Sequence, residues 1–205
     1  VGADLRPATL IEAYRQGVFP WPHEGMPLPW FSPDPRAVIW ANGIHVSRSL
    51  RRTLRHSGWT TTMDAAFDEV MCQCAEERGP DGTWITTEMY EAYRQLHTHG
   101  WAHSLEVWDG DHLVGGAYGV LVGGMFTGES MFHRESDASK VALVDLCVRL
   151  DEAGGSWLDV QLPTPHLLRM GAEAWQRELF LERLVSVRDV DVRPVGDRLP
   201  VRRLA

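Results

Sequence analysis

The sequence predicts an α+β fold, and three observations carry that expectation. Its 205 residues are 44% hydrophobic and 23% charged, an ordinary globular composition with enough chain for one good core, or for one core plus a small lobe. The pattern changes once, near residue 58, from a segment rich in Pro, aromatics and Arg to short strands alternating with amphipathic helices. Within that second part, Asp109-Gly110 and Gly123-Gly124 separate apolar runs as hairpin signals, which makes three neighbouring strands antiparallel.

Taken in order, PATLIEAYRQ (7–16) reads as a short helix, started by Pro7 and stopped by Gly17. VFPWPHEGMPLPWFSPDPR (18–36) follows, with six prolines around Phe19, Trp21, Trp30 and Phe31. Proline stiffens the backbone, and flat aromatic faces beside it make a stacking platform for a base; the same residues would also pin a loop onto its own domain. HVSRSLRRTLRH (45–56) carries Arg48, Arg51, Arg52 and Arg55 with no acid among them. This fits a phosphate-binding patch, and it also fits a solvated helix face. WTTTM is a strand, and Asp64 is expected to cap the helix DAAFDEVMCQCAEE. Thr86 or Thr87 similarly caps EMYEAYRQLHTH, which ends at Gly100. AHSLEVW, HLVGGAYGVLVG and MFTGESMF form the three-strand meander, and a helix runs from Asp137 to about Glu152, closed by Gly154 and Gly155. The strand SWLDVQL and short helices after Thr164 and near Trp175 complete the core; the tail from Asp189 is too mixed to assign. Three strands, helix, strand, helix is the core order of the acyl-CoA N-acetyltransferase type of fold, which suggests acyl transfer to an amine by analogy.

Composition excludes several classes. Apolar runs fall well short of the roughly eighteen residues of a membrane helix and no signal-peptide pattern opens the chain, so a cytoplasmic protein with no membrane partner is expected. Cys72, Cys74 and Cys147 have neither a disulfide nor a zinc spacing, and no metal is expected. The net charge of −8 argues against nucleic acid over the whole surface but leaves room for a local patch at 45–56.

Two stretches carry candidate chemistry. In SWLDVQL, period-two alternation puts Trp157, Asp159 and Gln161 on one face and Leu158, Val160 and Leu162 on the other. A carboxylate and an amide on one rigid face could orient an amine, or take its proton, and hold a carbonyl; Asp159 would equally serve as a cap for a neighbouring loop. In GESMFHRESDASK, Glu129 offers an acceptor for an ammonium group, or pairs with Arg134. Lys140, the only lysine, stands in the first turn of a helix, where a cation opposes the dipole by roughly 0.3 to 1 kcal/mol. A phosphate at that helix end would remove the conflict, as would a lysine that snorkels to solvent. Behind it, Leu143, Leu146 and Leu150 recur at core spacing.

The combination GVFPWP, PWFSPDPR, GTWIT, HSLEVW, GESMFHRESDASKVAL and LDVQLPTPHLLRMGA resembles the bacterial leucyl/phenylalanyl-tRNA–protein transferases, from about Asp4 to Leu184. The resemblance implies a small N-terminal domain (1–58) packed on an acetyltransferase-like domain (59–205). It implies transfer of Leu, Phe or Met from aminoacyl-tRNA to an N-terminal Arg or Lys, which marks the product for degradation by the N-end rule pathway. It makes Asp159 and Gln161 the catalytic pair and places Glu129 and Ser130 against substrate. Ala117, Phe126, Leu143, Leu146, Leu150 and Leu158 become the wall of the amino-acid pocket, and Trp21 and Trp84 contact the terminal adenosine or flank the site. Arg48, Arg51, Arg52, Arg55 and Lys140 face tRNA.

Such a reaction needs no cofactor, because the aminoacyl ester is already activated and an α-amine of reference pKa near 8 is partly neutral at pH 7. A CoA-dependent acetyltransferase would carry a Gly-rich pyrophosphate loop before its main helix, and HRESDASK lacks those glycines. A non-catalytic RNA-binding adaptor would account for the arginines and the aromatic loop, but not for Asp159 and Gln161 on one face.

Overall fold

A computed structural model describes residues 4–22, 27–77 and 84–205. Residues 23–26 of the Pro-rich segment and Gly82 and Thr83 of the GTWIT motif lie outside the described residues.

Helix α1 (Pro7–Arg15) begins with Pro at its first turn and stops at Gly17, whose φ of 74° suits glycine. Strands β1 (Phe19–Pro20) and β2 (Trp30–Phe31) pair with each other, antiparallel, and bracket the Pro-rich loop. Then come β3 (Arg36–Trp40), α2 (Arg48–His56), β4 (Thr60–Met63), α3 (Phe67–Glu76) and α4 (Thr87–Thr98). The meander is β5 (Ala102–Asp109), β6 (His112–Val122) and β7 (Met125–His133), with two-residue turns at 110–111 and 123–124. Helix α5 (Ala138–Glu152) crosses over to β8 (Trp157–Gln161), followed by α6 (Pro165–Arg169), β9 (Glu173–Trp175), α7 (Arg177–Val187) and β10 (Leu199–Pro200).

The main sheet has the order β10-β4-β5-β6-β7-β8-β3-β9, antiparallel throughout except for the parallel pair β7–β8 that α5 connects. Strand β3 lies within the expected 1–58 unit, yet it is hydrogen-bonded into this sheet between β8 and β9. One face of the sheet packs on α5 through Leu143, Leu146, Leu150, Phe126 and Leu158, with Leu50 and Leu54 of α2 in the same cluster. The other face carries α1, α3 and α4 through Leu10, Tyr14, Phe67, Met89 and Tyr93, and α7 through Phe180 and Leu184.

Thr86 caps α4 by accepting from Met89 N, and Thr164 caps α6 in the same way from Leu167 N. Asp64 does not cap α3. It sits too early, with φ 62°, and its carboxylate accepts from Ser104 N and His103 Nδ1 instead. The first amides before α3, from Ala65 and Ala66, donate to the buried Glu106 of β5. The tail is held from a distance: β10 pairs with β4, and the buried Arg149 of α5 donates to the carbonyls of Val195 and Asp197. No helix among the described residues is long and apolar enough to cross a membrane.

Candidate active site

The site lies where the sheet opens. Strands β7 and β8 pair from Met125↔Trp157 to Thr127↔Asp159, and there the pairing stops. At the same level both strands slip by one residue against their other neighbours. Tyr118↔Ser130 and Gly119↔Gly128 leave Glu129 with no residue opposite it, and Val38↔Asp159 and Ala37↔Gln161 do the same to Val160. Such bulges bend a strand and re-aim its side chains. Gly119 permits the first of them, because a Cβ there would fall 2.1 Å from Thr127 O. The second turns Gln161 to φ 62°, so the expected alternation ends at Asp159. Across the gap, Gln161 Nε2 donates to Gly128 O at 2.8 Å, a side-chain bridge where the backbone ladder has ended.

Asp159 is fully buried, and its partner is Arg36, itself 1% exposed. Arg36 Nε donates to Oδ1 at 2.7 Å and Nη2 to Oδ2 at 2.5 Å, a bidentate pair, while Nη1 donates to Gly17 O at 3.1 Å. The guanidinium lies between the rings of Phe19 and Phe180, 4.9 and 4.6 Å from their centroids. Asp159 Oδ1 also accepts from Gln161 N at 3.1 Å, and Oδ2 lies 3.4 Å from Thr127 Oγ1. The carboxylate is thus saturated by donors and holds the backbone of Gln161 in its left-handed conformation.

Beneath the gap is a cavity of about 420 Å³. Trp21, Trp84, Ala117, Phe126, Glu129, Ser130, Leu143, Leu146 and Gln161, all selected from sequence, line it together with Phe19, Met131, Val160, Leu162 and Leu167. Trp21 packs on Phe19 and Phe31, with ring centroids 6.0 and 5.7 Å away. Leu150, Leu158 and Asp159 do not line it: the two leucines are buried core beneath α5, and Asp159 faces Arg36. Among the described residues, no group of three His, Cys, Asp or Glu side chains is arranged to hold a metal.

Glu129 is the polar floor of the apolar cavity. Tyr14 Oη lies 2.7 Å from its Oε1 and Tyr93 Oη 3.0 Å from its Oε2, each within hydrogen-bond distance, and the two hydroxyls are also in contact with each other. Burial raises its pKa to about 7, with the two phenols and Arg36 working against that rise and Asp159 adding to it. Burial and the neighbouring Glu129 raise both phenols well above the usual tyrosine range. Arg134 is not its partner; that guanidinium binds Gln73 and Glu76.

The family model described as leucyl/phenylalanyl-tRNA protein transferase matches residues 38–185, and the model described as its N-terminal domain matches 3–34. A leucyl/phenylalanyl-tRNA–protein transferase of Stutzerimonas stutzeri is 53% identical over 184 residues, covering 89% of this chain and 81% of that one. Proteins of the same name from Xylella fastidiosa and Xanthomonas campestris are 52% and 49% identical, covering 88% and 91% of this chain and 75% and 76% of theirs. The chain belongs to the leucyl/phenylalanyl-tRNA–protein transferase family. Among solved structures, L-PGS from Bacillus licheniformis aligns at 11% identity with a TM-score of 0.48, over 73% of this chain and 50% of that one, a level that does not support a shared fold.

The residues expected to face tRNA in such a transferase lie to one side of the cavity. Arg48, Arg51, Arg52 and Arg55 are exposed on α2, whose Leu50 and Leu54 are buried. Lys140 pairs with Asp137 at 2.5 Å, and Asp137 Oδ2 accepts from Thr53 of α2 at 3.0 Å. The dipole conflict read from sequence is therefore met within the chain, by the carboxylate of Asp137. Burial opposes its ionisation, but the bonds from Lys140 and Thr53 hold its pKa below the usual carboxylate value. Lys140, His133 and His166 line a second recess of about 530 Å³, which shares Met131 with the first. Burial, then Lys140, Arg169 and His133, depress the pKa of His166.

Sequence reasoning missed Arg36, Tyr14 and Tyr93. Each had a signal. Arg36 opens the apolar run AVIW, where an arginine needs a buried partner, and each tyrosine lies four residues after a buried Leu10 or Met89, on a helix stripe that submerges its hydroxyl.

Proposed function

We propose that this chain transfers leucine, phenylalanine or methionine from the 3′ end of an aminoacyl-tRNA to the N-terminal arginine or lysine of an acceptor protein, leaving a degradation signal at the new N-terminus. The observation that carries the reading is an apolar cavity beside the break between β7 and β8, with an amide and a carboxylate where the strands part. The donor side chain packs on Phe126, Met131, Leu143 and Leu146, and the terminal adenosine stacks beside Trp21 and Trp84. The cationic residue of the acceptor meets Glu129. Arginines 48, 51, 52 and 55 and Lys140 steer the acceptor stem through its phosphates.

In this reading the neutral α-amine attacks the ester carbonyl, the C–N bond forms, and the bond to the ribose oxygen breaks. The proton lost by the amine ends on that oxygen. Gln161 has two amide N–H groups; one is committed to Gly128 O, and the other holds the ester carbonyl. Asp159 is a positioning residue that acts through Gln161, since both of its oxygens are engaged by Arg36. Proximity and orientation then supply several kcal/mol of the barrier without a covalent intermediate. The division into residues 1–58 and 59–205 belongs to the same proposal, with β3 as the strand that builds the first unit into the sheet of the second. So does an acetyltransferase-like core, supported by the order of meander, crossover helix and splayed parallel strand.

Incubating the purified protein with radiolabelled Phe-tRNA and a peptide beginning with Arg, in parallel with labelled acetyl-CoA and the same peptide, tests the reaction. Label is expected from Phe-tRNA alone. Label arriving only from acetyl-CoA overturns the proposal.

A further inference from the structure

Glu129, Tyr14 and Tyr93 form a closed ring of three oxygen–oxygen contacts: Tyr14 to Oε1, Tyr93 to Oε2, and Tyr14 to Tyr93. Each contact is a hydrogen bond only if it holds a proton, and each phenol has one to give. Were Glu129 ionised, both phenols would donate to it and their oxygens would then face each other lone pair to lone pair. Were it protonated, three protons would fill three contacts in one direction round the ring. The charges that surround the ring leave the same balance. Arg36 on β3 directs its donors at Asp159 on β8 and at Gly17 O, so among the described residues the buried cation nearby serves the other carboxylate. Tyr118 of β6 stands beside Tyr93, with ring centroids 5.8 Å apart, and adds no cation.

We propose that Glu129 is a neutral carboxylic acid in the empty site, and that the cationic side chain of the acceptor's N-terminal residue binds by expelling its proton to solvent. The inference rests on the reading that Glu129 receives that residue. Burial favours the neutral acid, whose pKa stands at about 7, and a guanidinium or ammonium placed beside it favours the carboxylate and lowers that value by roughly 1–3 units. Below pH 7 the negative charge that holds the acceptor therefore forms as the cation arrives. A neutral first residue leaves the ring closed and gains no charge partner. The sign follows from the same linkage: below pH 7 binding must release a proton, so affinity falls as pH falls; above pH 7 the acid is already ionised and affinity levels off.

The test uses a peptide whose first residue is a 5-guanidinopentanoyl group, which keeps the guanidinium and lacks the reactive, titrating amine. Calorimetric affinity for the wild-type protein is expected to rise by up to about tenfold per pH unit from pH 5.5 to 7 and to flatten above. Glu129→Gln is expected to bind weakly with no pH dependence, which separates Glu129 from the histidines of the neighbouring recess. Tyr14→Phe and Tyr93→Phe each remove a donor to the carboxylate, so the midpoint moves to higher pH, a shift that loss of mere support would not produce. If the wild-type affinity is flat across this range while Glu129→Gln still weakens binding, the proton linkage is wrong and Glu129 remains the receptor. Unchanged binding in Glu129→Gln removes the receptor reading itself.

Discussion

Asp159 and Glu129 stand on adjacent strands at the same break in the sheet, and the protein handles them in opposite ways. Asp159 ends the last rung that pairs β8 with β7, buried and clamped by an arginine that is itself held between two aromatic rings. Glu129 stands in a bulge of β7, reaches the cavity, and among the described residues is held by two phenols and no cation. A carboxylate with a permanent counter-charge has a fixed geometry, which suits a part that must hold shape. A carboxylate held only by neutral donors can change its charge when a ligand arrives. The difference teaches that residue type alone does not assign a role at this site. The partner does.

The strongest way to break the contrast is Asp159→Asn. If Asp159 is a positioning residue, the change strands the buried guanidinium of Arg36, costs about 3–5 kcal/mol of stability, and lowers transfer by roughly a hundred-fold or more as Gln161 loses its hold. Denaturant midpoints measured beside single-turnover rates decide it: a hundred-fold rate loss with stability intact would make Asp159 a general base and erase the distinction. Gln161→Gly comes next. Glycine accepts a φ of 62° without strain, so stability should hold or rise by up to about 1 kcal/mol, while loss of the amide lowers transfer roughly a hundred-fold at saturating peptide.

The exposed charges of α2 extend the contrast to groups whose partners are not fixed by the fold. Reversing Arg51 and Arg52 together should leave the thermal midpoint within a degree or two and reduce the salt slope of tRNA binding by about 2, since each phosphate contact contributes about 0.7–0.9. An unchanged slope would take α2 out of the tRNA path. The smallest effect is expected from Lys140→Ala. Its pair with Asp137 is partly exposed, so less than about 1 kcal/mol of stability should be lost in thermal unfolding. Weaker tRNA binding in the same variant would show that Lys140 also reaches a phosphate.

Much of this was legible in the sequence, and the remainder was hidden for identifiable reasons. Hairpin glycines, a threonine cap at 86 or 87, and the leucine stripe of α5 are local signals, and they placed the meander and its neighbouring helices; the family resemblance added most of the nine cavity-lining residues. Bulges have no comparable local mark. Alternation therefore carried Gln161 onto the face of Asp159, whereas the slip at Val160 turns it aside. The pairing of Arg36 with Asp159 joins positions 123 residues apart, and the tail is ordered by β4 and Arg149, so neither could be read from neighbours in the chain. Asp64 had the right residue type for a cap but the wrong backbone, and a glutamate on β5 took its place.

The bridge from Gln161 to Gly128 has a consequence for how such a cavity can change over time. Where strands are paired, backbone hydrogen bonds set their spacing. Beyond Thr127↔Asp159 the separation of β7 and β8 is instead gauged by one flexible side chain. Replacing that glutamine by asparagine removes one methylene from the gauge and leaves the flanking rungs Thr127↔Asp159 and Ala37↔Gln161 to the same backbone atoms. The separation of β7 and β8 beside the cavity is thus open to adjustment in single-residue steps while the paired rungs of the sheet stay as they are.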